Sequence, residues 1–436
     1  MSDSQNFIVQ PGGNLQGEIR VPGDKSISHR SIMLGSIAAG VTEVTGFLEG
    51  EDNLATRDAF RAMGVRIEGP EKGRVIIHGV GMHGLRAPDD ALYLGNSGTS
   101  MRLLAGLLAA QPFDCTLTGD ASLSTRPMRR VTAPLAEMGA DIKTTSAGTP
   151  PLRIHGNPGL IGIDYAMPVA SAQVKSCLLL AGLYADGMTC VTEPAPTRDH
   201  TERMLEGFGY PVERHDNRIC VRRGGALTGV PIDVPADISS AAFFLVGASI
   251  ATGSDLTLQH VGINPTRTGV INILRQMGAD IRVFNEQSVG GEPVADLHVR
   301  GSQLRGIRIP AEQVPLAIDE FPALFVAAAC ADGETVLTGA RELRVKESDR
   351  IQVMADGLVA LGIDARPTED GMIIQGGRID GGRVHSHGDH RIAMSFAMAA
   401  LGATGPVEIE DCANVNTSFP GFVALAQGAG LAIRAG

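Results

Sequence analysis

The hexapeptide Gln276-Met-Gly-Ala-Asp-Ile281 joins the end of an apolar helical pattern to the start of a strand pattern, and variants of it occur five more times. Glycine at the end of a helical pattern supplies the left-handed residue that stops a helix, and the alternating residues after it begin a strand. The six glycines recur at intervals close to one sixth of the chain, which indicates an internal repeat. The copies are AMGVRI (62–67), EMGADI (137–142), GFGYPV (207–212), QMGADI (276–281), ALGIDA (360–365) and GAGLAI (428–433).

A second recurring element lies upstream of these signatures. It is an apolar helix rich in small residues, followed by a turn and a strand rich in Thr and Val, as in Met101 to Thr118, Lys175 to Thr192, Phe321 to Thr338 and Ile392 to Ile409. Together the two elements predict an α/β protein built from six copies of one unit, with helices packed on sheets. The residues alone leave the grouping open between two groups of three, three pairs and a ring.

Composition limits the classes of function. The chain has 436 residues, with 37 Lys+Arg against 48 Asp+Glu and a formal net charge of −11. An acidic protein has no general affinity for nucleic acid or for acidic membrane surfaces, so any basic site must be local. The longest uncharged apolar stretch, Ile238 to Ser254, is too short to span a membrane. We therefore expect no nucleic-acid partner and no membrane partner.

The cysteines and the N-terminal residues indicate a cellular compartment. The six cysteines form no CxxC motif and lie in apolar or strand-like settings, so we expect all six to be buried free thiols. The first residues, Met1-Ser-Asp-Ser-Gln-Asn, lack the basic and apolar regions of a signal peptide. These features predict a cytoplasmic protein.

The chemistry-bearing residues stand at the starts of the apolar helices. For a single copy, Ser, Asn or Asp at such a position is most simply an ordinary N-cap. Four of the six starts add Lys or Arg near the first turn, where a cation opposes the helix dipole unless an anion binds. The set therefore predicts a site for a small, multiply charged anion. The starts are Lys25 to Arg30, Asn96 to Arg102, Ser171 to Lys175, Asp237 to Ser240, Asp319 to Pro322 and Asp389 to Arg391.

Further basic segments extend this pattern. Arg126, Arg198 and the cluster from Arg344 to Arg350 are candidate anion ligands, with a solvated charged surface as the alternative for each. The cluster from His385 to His390 could suggest zinc, but its spacing is not that of a metal helix and no cysteine accompanies it. Neither a GxxxxGK[ST] nor a GxGxxG motif occurs, so a nucleotide cofactor is not indicated.

Nine ordered motifs resemble those of the 5-enolpyruvylshikimate-3-phosphate (EPSP) synthase family along essentially the whole chain. The stretch EGED (49–52) and two of the nine motifs are similar to the class II branch. The nine are PGDKSISHRS (22–31), LGNSGTSMRLL (94–104), RPM (126–128), SAQVKS (171–176), TRDHTE (197–202), NPTRTG (264–269), IDEFP (318–322), LRVKESDR (343–350) and DHRIAMSF (389–396).

The resemblance implies the enolpyruvyl transferase fold, a two-domain inverse α/β barrel with three repeats in each domain. It assigns residues 1–20 and 236–436 to one domain and 21–235 to the other, with the active site in the cleft between them. The implied reaction is that of a transferase of the shikimate pathway, in chorismate and aromatic amino-acid biosynthesis. It joins the enolpyruvyl group of phosphoenolpyruvate to the 5-hydroxyl of shikimate 3-phosphate and releases phosphate, with no cofactor, no metal and a monomeric enzyme.

The resemblance also implies roles for individual residues. Asp319 is the expected base at the 5-hydroxyl, Glu347 the expected proton donor to carbon, and Lys25 the expected stabiliser of the departing phosphate. The expected shikimate 3-phosphate ligands are Lys25, Ser26, Arg30, Ser171, Ala172, Gln173, Arg198, Asp319 and Lys346. The expected phosphoenolpyruvate ligands are Lys25, Asn96, Gly98, Thr99, Arg126, Gln173, Arg350 and Arg391.

Two positions depart from family patterns. Many members have a Lys before a Thr-Phe-Pro near the C-terminus, where this chain has Thr417 before Ser418-Phe419-Pro420. Gly98 stands where class II members often have Ala. Glyphosate competes with phosphoenolpyruvate in this family and is slightly longer. Because Gly98 lacks a methyl group that would exclude the longer molecule, it predicts sensitivity to glyphosate, whereas the class II likeness predicts tolerance of it. Two other functions stay open: a UDP-N-acetylglucosamine enolpyruvyl transferase, which typically has Lys-Asn where this chain has Lys25-Ser26, and a non-catalytic six-repeat anion-binding scaffold.

Overall fold

The structure, a computed structural model, describes residues 5–436 and divides the chain into two compact units. The first unit takes in the chain up to Pro22, then Pro235–Ser288 and Pro293–Gly436. The second unit takes in Gly23–Val234 and the short segment Val289–Glu292. Each unit encloses a hydrophobic core of its own.

Twelve α-helices lie within residues 5–436, six in each unit. Helices α1 to α6 belong to the second unit and α7 to α12 to the first. The helices are α1 (Lys25–Ile37), α2 (Glu51–Ala62), α3 (Gly98–Ala109), α4 (Arg129–Glu137), α5 (Ala172–Gly182), α6 (His200–Gly207), α7 (Ile238–Ile250), α8 (Gly269–Gln276), α9 (Phe321–Ala329), α10 (Arg350–Ala360), α11 (His390–Ala399) and α12 (Phe422–Gly428).

The strands of the described residues alternate with these helices. They are β1 (Phe7–Val9), β2 (Gln16–Ile19), β3 (Ala39–Thr45), β4 (Arg66–Glu71), β5 (Arg74–Val80), β6 (Leu92–Tyr93), β7 (Cys115–Thr118), β8 (Asp141–Lys143), β9 (Leu152–His155), β10 (Asp164–Ala166), β11 (Met188–Thr192), β12 (Glu213–His215), β13 (Arg218–Arg222), β14 (Ile232–Asp233), β15 (Asp255–Gly262), β16 (Asp280–Val289), β17 (Glu292–Arg300), β18 (Glu334–Leu337), β19 (Asp364–Pro367), β20 (Met372–Gln375), β21 (Gly382–His385), β22 (Val407–Glu410) and β23 (Ile433–Ala435).

Each unit contains three small sheets. The second unit has the strand orders β14-β3-β5-β4, β6-β7-β9-β8 and β10-β11-β13-β12, and the first unit has β16-β17-β15-β2, β18-β20-β19 and β21-β22-β1-β23. In the second unit, each sheet joins one parallel pair to an antiparallel hairpin. The repeat thus occurs six times, three times in each compact unit, and the predicted α/β repeat is confirmed.

The glycine signatures have the predicted conformation. All six glycines have φ between 86° and 112°, and each follows one of the helices α2, α4, α6, α8, α10 and α12. After α8, for example, the Ala279 N–H donates to the Leu274 carbonyl at 2.9 Å, across Gly278. This is the hydrogen bond of a Schellman C-cap, which a residue with a left-handed backbone closes. The signature therefore ends one helix and starts the next strand in every repeat.

The remaining helices form the interior of each unit. Helices α7, α9 and α11 pack against one another in the first unit, and α3 packs against α5 and α1 in the second. Every residue of α9 is buried, because the sequence FPALFVAAA offers no polar face. A helix buried on all sides exposes chemistry only at its ends. The charged residues at the N-termini of these inner helices are therefore the candidates for function.

The prediction of six free cysteines is wrong for two of them. Cys190 on β11 lies directly opposite Cys220 on β13, and their sulfur atoms form a disulfide. The pairing depends on the register of two antiparallel strands, which no local sequence pattern reveals. The other four are free, and burial raises the pKa of each thiol to about 12; they are Cys115, Cys177, Cys330 and Cys412.

Candidate active site

Lys25 begins α1 in the second unit and is held by an acidic partner. Its Nζ lies 2.5 Å from Oδ2 of Asp52, which is buried at the start of α2. The Asp24 side chain caps α1 by accepting the Ile27 N–H at 2.9 Å. The Asn53 amide donates to the Lys25 carbonyl at 3.1 Å. These contacts fix a lysine at a helix N-terminus, where the helix dipole already attracts anions.

Arg30 lies one turn further along α1 and is almost fully buried. Its Nε donates to Thr201 Oγ1 at 2.6 Å, and its Nη2 donates to Ser176 Oγ at 2.9 Å. Its Nη1 donates to the carbonyl of Ser26 at 3.0 Å. Burial lowers the pKa of Arg30 to about 10, and the charge of Arg198 acts in the same direction. The structure therefore places Ser26 and Arg198 close to Arg30.

Asn96 and Arg126 meet just before α3. The Arg126 Nη2 donates to Oδ1 of Asn96, and Nδ2 of Asn96 donates to Asp120 Oδ2 at 2.7 Å. The same Arg126 nitrogen lies 3.4 Å from the Ser122 hydroxyl oxygen. Arg126 is thus oriented by the loop that precedes α3, although it comes from a different segment of chain.

Gln173 links the start of α5 to the start of α3. Its Nε2 donates to Thr99 Oγ1 at 3.1 Å, and its Oε1 accepts from Arg102 Nη1 at 2.9 Å. The N-cap of α5 is Ser171, whose hydroxyl oxygen accepts the Val174 N–H at 3.3 Å. Ser171, Ala172 and Gln173 therefore form one helix start, which Gln173 joins to the first turns of α3.

Gly98 is the first residue of α3 and lies beneath two guanidinium groups. A Cβ atom at this position would lie 2.8 Å from Arg102 Nη1 and 3.1 Å from Arg126 Nη1. Both distances are shorter than an ordinary van der Waals contact. The missing side chain is therefore what allows both arginines to approach the helix N-terminus so closely.

A buried polar network lies behind these helix starts. His29 Nδ1 lies 2.8 Å from Thr56 Oγ1, which lies 2.6 Å from Ser100 Oγ. Burial lowers the pKa of His29 well below its ordinary value, and the charges of Lys25 and Arg30 act in the same direction. The imidazole is therefore neutral at pH 7 and links α1, α2 and α3 without adding a further charge.

Arg350 is the centre of the candidate site in the first unit. It is fully buried at the start of α10, and its guanidinium contacts three carboxylates. Nε donates to Asp389 Oδ2 at 2.8 Å, Nη2 to Glu347 Oε2 at 2.6 Å, and Nη1 to Asp319 Oδ1 at 3.3 Å. Burial acts to lower the pKa of Arg350, but the three negative charges outweigh it and the pKa is raised.

Lys346 approaches the same carboxylate from the loop before α10. Its Nζ lies 3.4 Å from Asp319 Oδ1 and 3.9 Å from Glu342 Oε1. Lys346 and Arg350 are like charges four residues apart, and Asp319 lies between them and compensates both. The predicted base, the predicted proton donor and two predicted cations therefore form one cluster in the first unit.

Asp389 and Arg391 form the start of α11. Asp389 is completely buried, and its Oδ1 accepts the Arg391 N–H at 2.9 Å. Burial acts to raise the pKa of Asp389, but the charge of Arg350 outweighs it and the pKa is lowered. The Arg391 Nη1 donates to the backbone carbonyl of Asp319 at 2.8 Å. The starts of α9, α10 and α11 are thus joined through charged side chains.

Comparisons with known proteins establish the family of the chain. The family described as EPSP synthase (3-phosphoshikimate 1-carboxyvinyltransferase) matches residues 9–425. The chain belongs to the EPSP synthase family. It is 73% identical over 428 residues to a 3-phosphoshikimate 1-carboxyvinyltransferase of Methylococcus capsulatus, with 98% of each chain covered. It is 70% identical over 434 residues to the Nitrosococcus oceani protein of that name, with 100% of this chain and 98% of the other covered.

Solved structures of the EPSP synthase family have the same fold. The 2.37 Å structure of EPSP synthase from Acinetobacter baumannii superposes with a TM-score of 0.90 at 63% identity, covering 99% of this chain and 100% of that chain. The predicted two-domain inverse α/β barrel fold is thereby confirmed. The two other functions left open by the sequence, the UDP-N-acetylglucosamine transferase and the non-catalytic scaffold, are not favoured.

Thr417, the departure from the family's C-terminal Lys, is a structural residue. Its hydroxyl donates to the carbonyl of Asn414 at 2.7 Å and closes a short 3₁₀ turn, Ala413–Thr417. The Asn414 amide in turn donates to the Gly388 carbonyl at 2.7 Å, just before α11. The position therefore supports the loop that leads to Arg391 and supplies no cation.

Sequence reasoning missed the acidic partners of the predicted cations. The sequence shows Asp52 only as part of the EGED stretch and Asp389 only as an expected helix cap. Arg102 was also missed as the partner of Gln173. Each of these contacts joins segments more than 25 residues apart, and the only signal in the sequence was the presence of the residues within family motifs.

Residues 5–436 contain neither a candidate membrane span nor a candidate metal site. No helix in this range is both long and apolar enough to cross a membrane. No group of three or more His, Cys, Asp or Glu side chains in the same range could hold a metal ion.

Proposed function

We infer that this chain catalyses the reaction named for its relatives, 3-phosphoshikimate 1-carboxyvinyl transfer. The hydroxyl oxygen at C5 of shikimate 3-phosphate forms a bond to C2 of phosphoenolpyruvate, and phosphate leaves. The observation that carries this proposal is the pair of carboxylates on Arg350. Asp319 and Glu347 lie 3.3 and 2.6 Å from its guanidinium nitrogens. Addition and elimination both need a group at the hydroxyl and a group at the methylene carbon.

We propose that Asp319 takes the proton from the 5-hydroxyl while Glu347 gives a proton to the methylene carbon. This addition yields a tetrahedral intermediate that carries both the new ether bond and the phosphate. In the second half of the reaction the roles reverse: Glu347 takes a proton back from the same carbon, the double bond re-forms, the C2–O bond to phosphate breaks, and Asp319 returns the hydroxyl proton to the departing phosphate. Lys25 stabilises the charge that builds up on the departing phosphate.

We propose that the helix starts of the second unit bind the anionic groups of both substrates. Arg126 is oriented by Asn96 and offers a planar fork of donors suited to a carboxylate or phosphate. Gly98 and Thr99 begin α3 beside it, where the absence of a side chain at Gly98 leaves room for close approach. Gln173 holds Thr99 and borders both substrates.

The proposed shikimate 3-phosphate ligands fall into two sets. Lys25, Ser26, Arg30, Arg198 and the start of α5 lie in the second unit, whereas Lys346 and Asp319 lie in the first. We therefore propose that the two units correspond to the two domains of the family.

Arg350 and Arg391 complete the proposed phosphoenolpyruvate site. Arg350 already contacts three carboxylates, so a fourth anion must share its guanidinium or displace one of them. Arg350 approaches Glu347 to 2.6 Å and Asp389 to 2.8 Å, but Asp319 only to 3.3 Å. The contact with Asp319 would therefore be the first to weaken. Phosphoenolpyruvate binding would then loosen Asp319 from Arg350, as a base requires.

A phosphate-release assay tests the proposed function. Shikimate 3-phosphate and phosphoenolpyruvate are supplied together, then each is omitted in turn, and UDP-N-acetylglucosamine replaces the first in a third reaction. Phosphate release only with the first pair supports the proposal. Release with UDP-N-acetylglucosamine would favour the related transferase, and no release in any reaction would favour the scaffold.

We further propose that the enzyme acts as a monomer in the cytoplasm, on small molecules and with no nucleic-acid partner. The formal net charge of −11 supports the last point. In a reducing cytoplasm the Cys190–Cys220 disulfide would be open. Alkylation of thiols in rapidly quenched cells, followed by mass spectrometry, tests this location. Alkylated Cys190 and Cys220 would support it, and a disulfide between them would contradict it.

A further inference from the structure

Glu320 is a buried carboxylate to which neither the sequence motifs nor the proposed mechanism gives a role. It follows Asp319 directly, and only 1% of its side chain is exposed. It occupies the N-cap position of α9, but its side chain does not cap the helix. A buried charge is costly unless it is paired, so its partners should explain its presence.

The first partners of Glu320 come from the NPTRTG motif and from the start of α7. The Arg267 Nη2 donates to Ser239 Oγ at 2.5 Å, and the Ser239 hydroxyl donates to Oε1 of Glu320. The same Arg267 nitrogen lies 3.9 Å from that oxygen and 3.0 Å from Asp237 Oδ1. These buried groups fix the carboxylate of Glu320 from one side.

The second partner of Glu320 is Arg391. Its Nη1 lies 3.6 Å from Glu320 Oε1, and the same nitrogen donates to the Asp319 carbonyl at 2.8 Å. Arg391 and Arg267 therefore approach the same carboxylate oxygen from two different segments of chain. One corner of the Arg391 guanidinium, Nη1, is thus held by two consecutive residues, Asp319 and Glu320.

The opposite edge of Arg391 is available to a ligand. Nε and Nη2 form one bidentate edge of a guanidinium, and within residues 5–436 neither nitrogen of Arg391 makes a hydrogen bond or an ion pair. A carboxylate or phosphate binds such an edge through two parallel hydrogen bonds. Anchoring of Nη1 therefore decides the direction in which this edge points.

We propose that Glu320 is a positioning residue that orients Arg391 towards the anion of phosphoenolpyruvate. The proposal rests on the proposed function, since it takes Arg391 as a ligand of that substrate. Glu320 does not touch the substrate. It acts through Arg391, and the buried chain from Arg267 through Ser239 keeps it in place.

The direction in which phosphoenolpyruvate binding changes when Glu320 loses its charge distinguishes a positioning role from a purely electrostatic one. A carboxylate 3.6 Å from Arg391 weakens the positive potential that attracts an anionic substrate. If charge alone mattered, removing the charge of Glu320 would improve phosphoenolpyruvate binding. If orientation matters, the same change weakens binding, because the freed guanidinium samples other directions and must be ordered when the ligand binds.

Steady-state kinetics of three variants test the proposal. Glu320→Gln removes the charge and keeps the shape, Glu320→Asp keeps the charge and shortens the reach, and Ser239→Ala removes the hydroxyl that holds the carboxylate. Glu334 is an exposed carboxylate on β18, and Glu334→Gln is the matched control. We expect KM for phosphoenolpyruvate to rise about tenfold or more in the two Glu320 variants, with kcat and KM for shikimate 3-phosphate within about twofold.

The outcomes distinguish the inference from the proposed function. If the wild type does not turn over the two substrates, the proposed function fails. If the wild type is active and Glu320→Gln leaves KM for phosphoenolpyruvate unchanged or lowers it, the positioning role is wrong. Equal rises in both KM values would mean that Glu320 only supports the fold. Should Glu320→Gln not fold, Ser239→Ala carries the test, and an unchanged KM for phosphoenolpyruvate there overturns the proposal.

Discussion

Replacement of Gly98 by alanine is the perturbation whose consequence the structure describes most directly. The new methyl group would lie 2.8 Å from Arg102 Nη1 and 3.1 Å from Arg126 Nη1. An ordinary contact between such atoms is about 3.5 Å, so the two guanidinium groups must move by about 0.4–0.7 Å. Both are the ends of flexible side chains, and the backbone of α3 is not strained by alanine.

The size of the effect follows from what Arg126 loses. A charge-assisted hydrogen bond contributes about 1.5–3 kcal/mol, and a shift of this size forfeits about half of it. A loss of about 1 kcal/mol corresponds to a rise of about fivefold in KM for phosphoenolpyruvate. Glyphosate is longer than phosphoenolpyruvate and should meet the new methyl group more closely, so we expect its inhibition to weaken by a larger factor. Stability should not fall, since alanine favours a helix over glycine by up to ~1 kcal/mol.

The assay compares KM for phosphoenolpyruvate with the inhibition constant for glyphosate in the wild type and in Gly98→Ala, with thermal unfolding as the control for folding. Sensitivity of the wild type and a larger loss for glyphosate than for phosphoenolpyruvate support the reasoning. A wild type that already tolerates glyphosate, or equal losses for the two ligands, would refute it, and Gly98 would then serve only the turn before α3.

Three further predictions concern other parts of the site. Asp319→Asn keeps its shape and loses the base, so kcat should fall far more than about tenfold while shikimate 3-phosphate still binds in a calorimeter; retained kcat would move the base elsewhere. Arg126→Ala should raise KM for phosphoenolpyruvate about 10- to 100-fold and KM for shikimate 3-phosphate much less, and equal rises would indicate a structural role. The pKa of His29 is lowered in the folded state, so only the unfolded chain takes up its proton below pH 6.5. As the pH is lowered from 6 to 5, the free energy of unfolding should therefore fall further in the wild type than in His29→Gln, by up to about 1.4 kcal/mol, and an equal fall in the two proteins, measured by urea unfolding at both pH values, would contradict this.

The repeat could be predicted from the sequence because its signal is local. Each signature glycine ends its own helix with a bond across six residues, as between Ala279 and Leu274, and the next strand starts at once. Such a pattern is complete within a few neighbours and needs no knowledge of the rest of the chain. The N-caps Asp237 and Asp389 could be predicted for the same reason.

The pairing of charges could not be predicted, because it depends on how different repeats pack. Arg350 contacts Asp389 only when the starts of α10 and α11 lie side by side, and Glu320 contacts Ser239 only when α7 lies beside α9. The Cys190–Cys220 disulfide likewise depends on strand register. The sequence therefore indicated which residues bear charge near the site, and the structure shows which of them hold one another.

Identification of the reaction product is the direct test of enolpyruvyl transfer to shikimate 3-phosphate. Wild-type protein is incubated with shikimate 3-phosphate and ¹³C-labelled phosphoenolpyruvate, and the mixture is followed by phosphorus NMR and mass spectrometry. We expect inorganic phosphate in equal amount to a shikimate 3-phosphate adduct that carries all the labelled enolpyruvyl carbons. Labelled free pyruvate with unchanged shikimate 3-phosphate, or no reaction with protein that is shown to be folded, would contradict it.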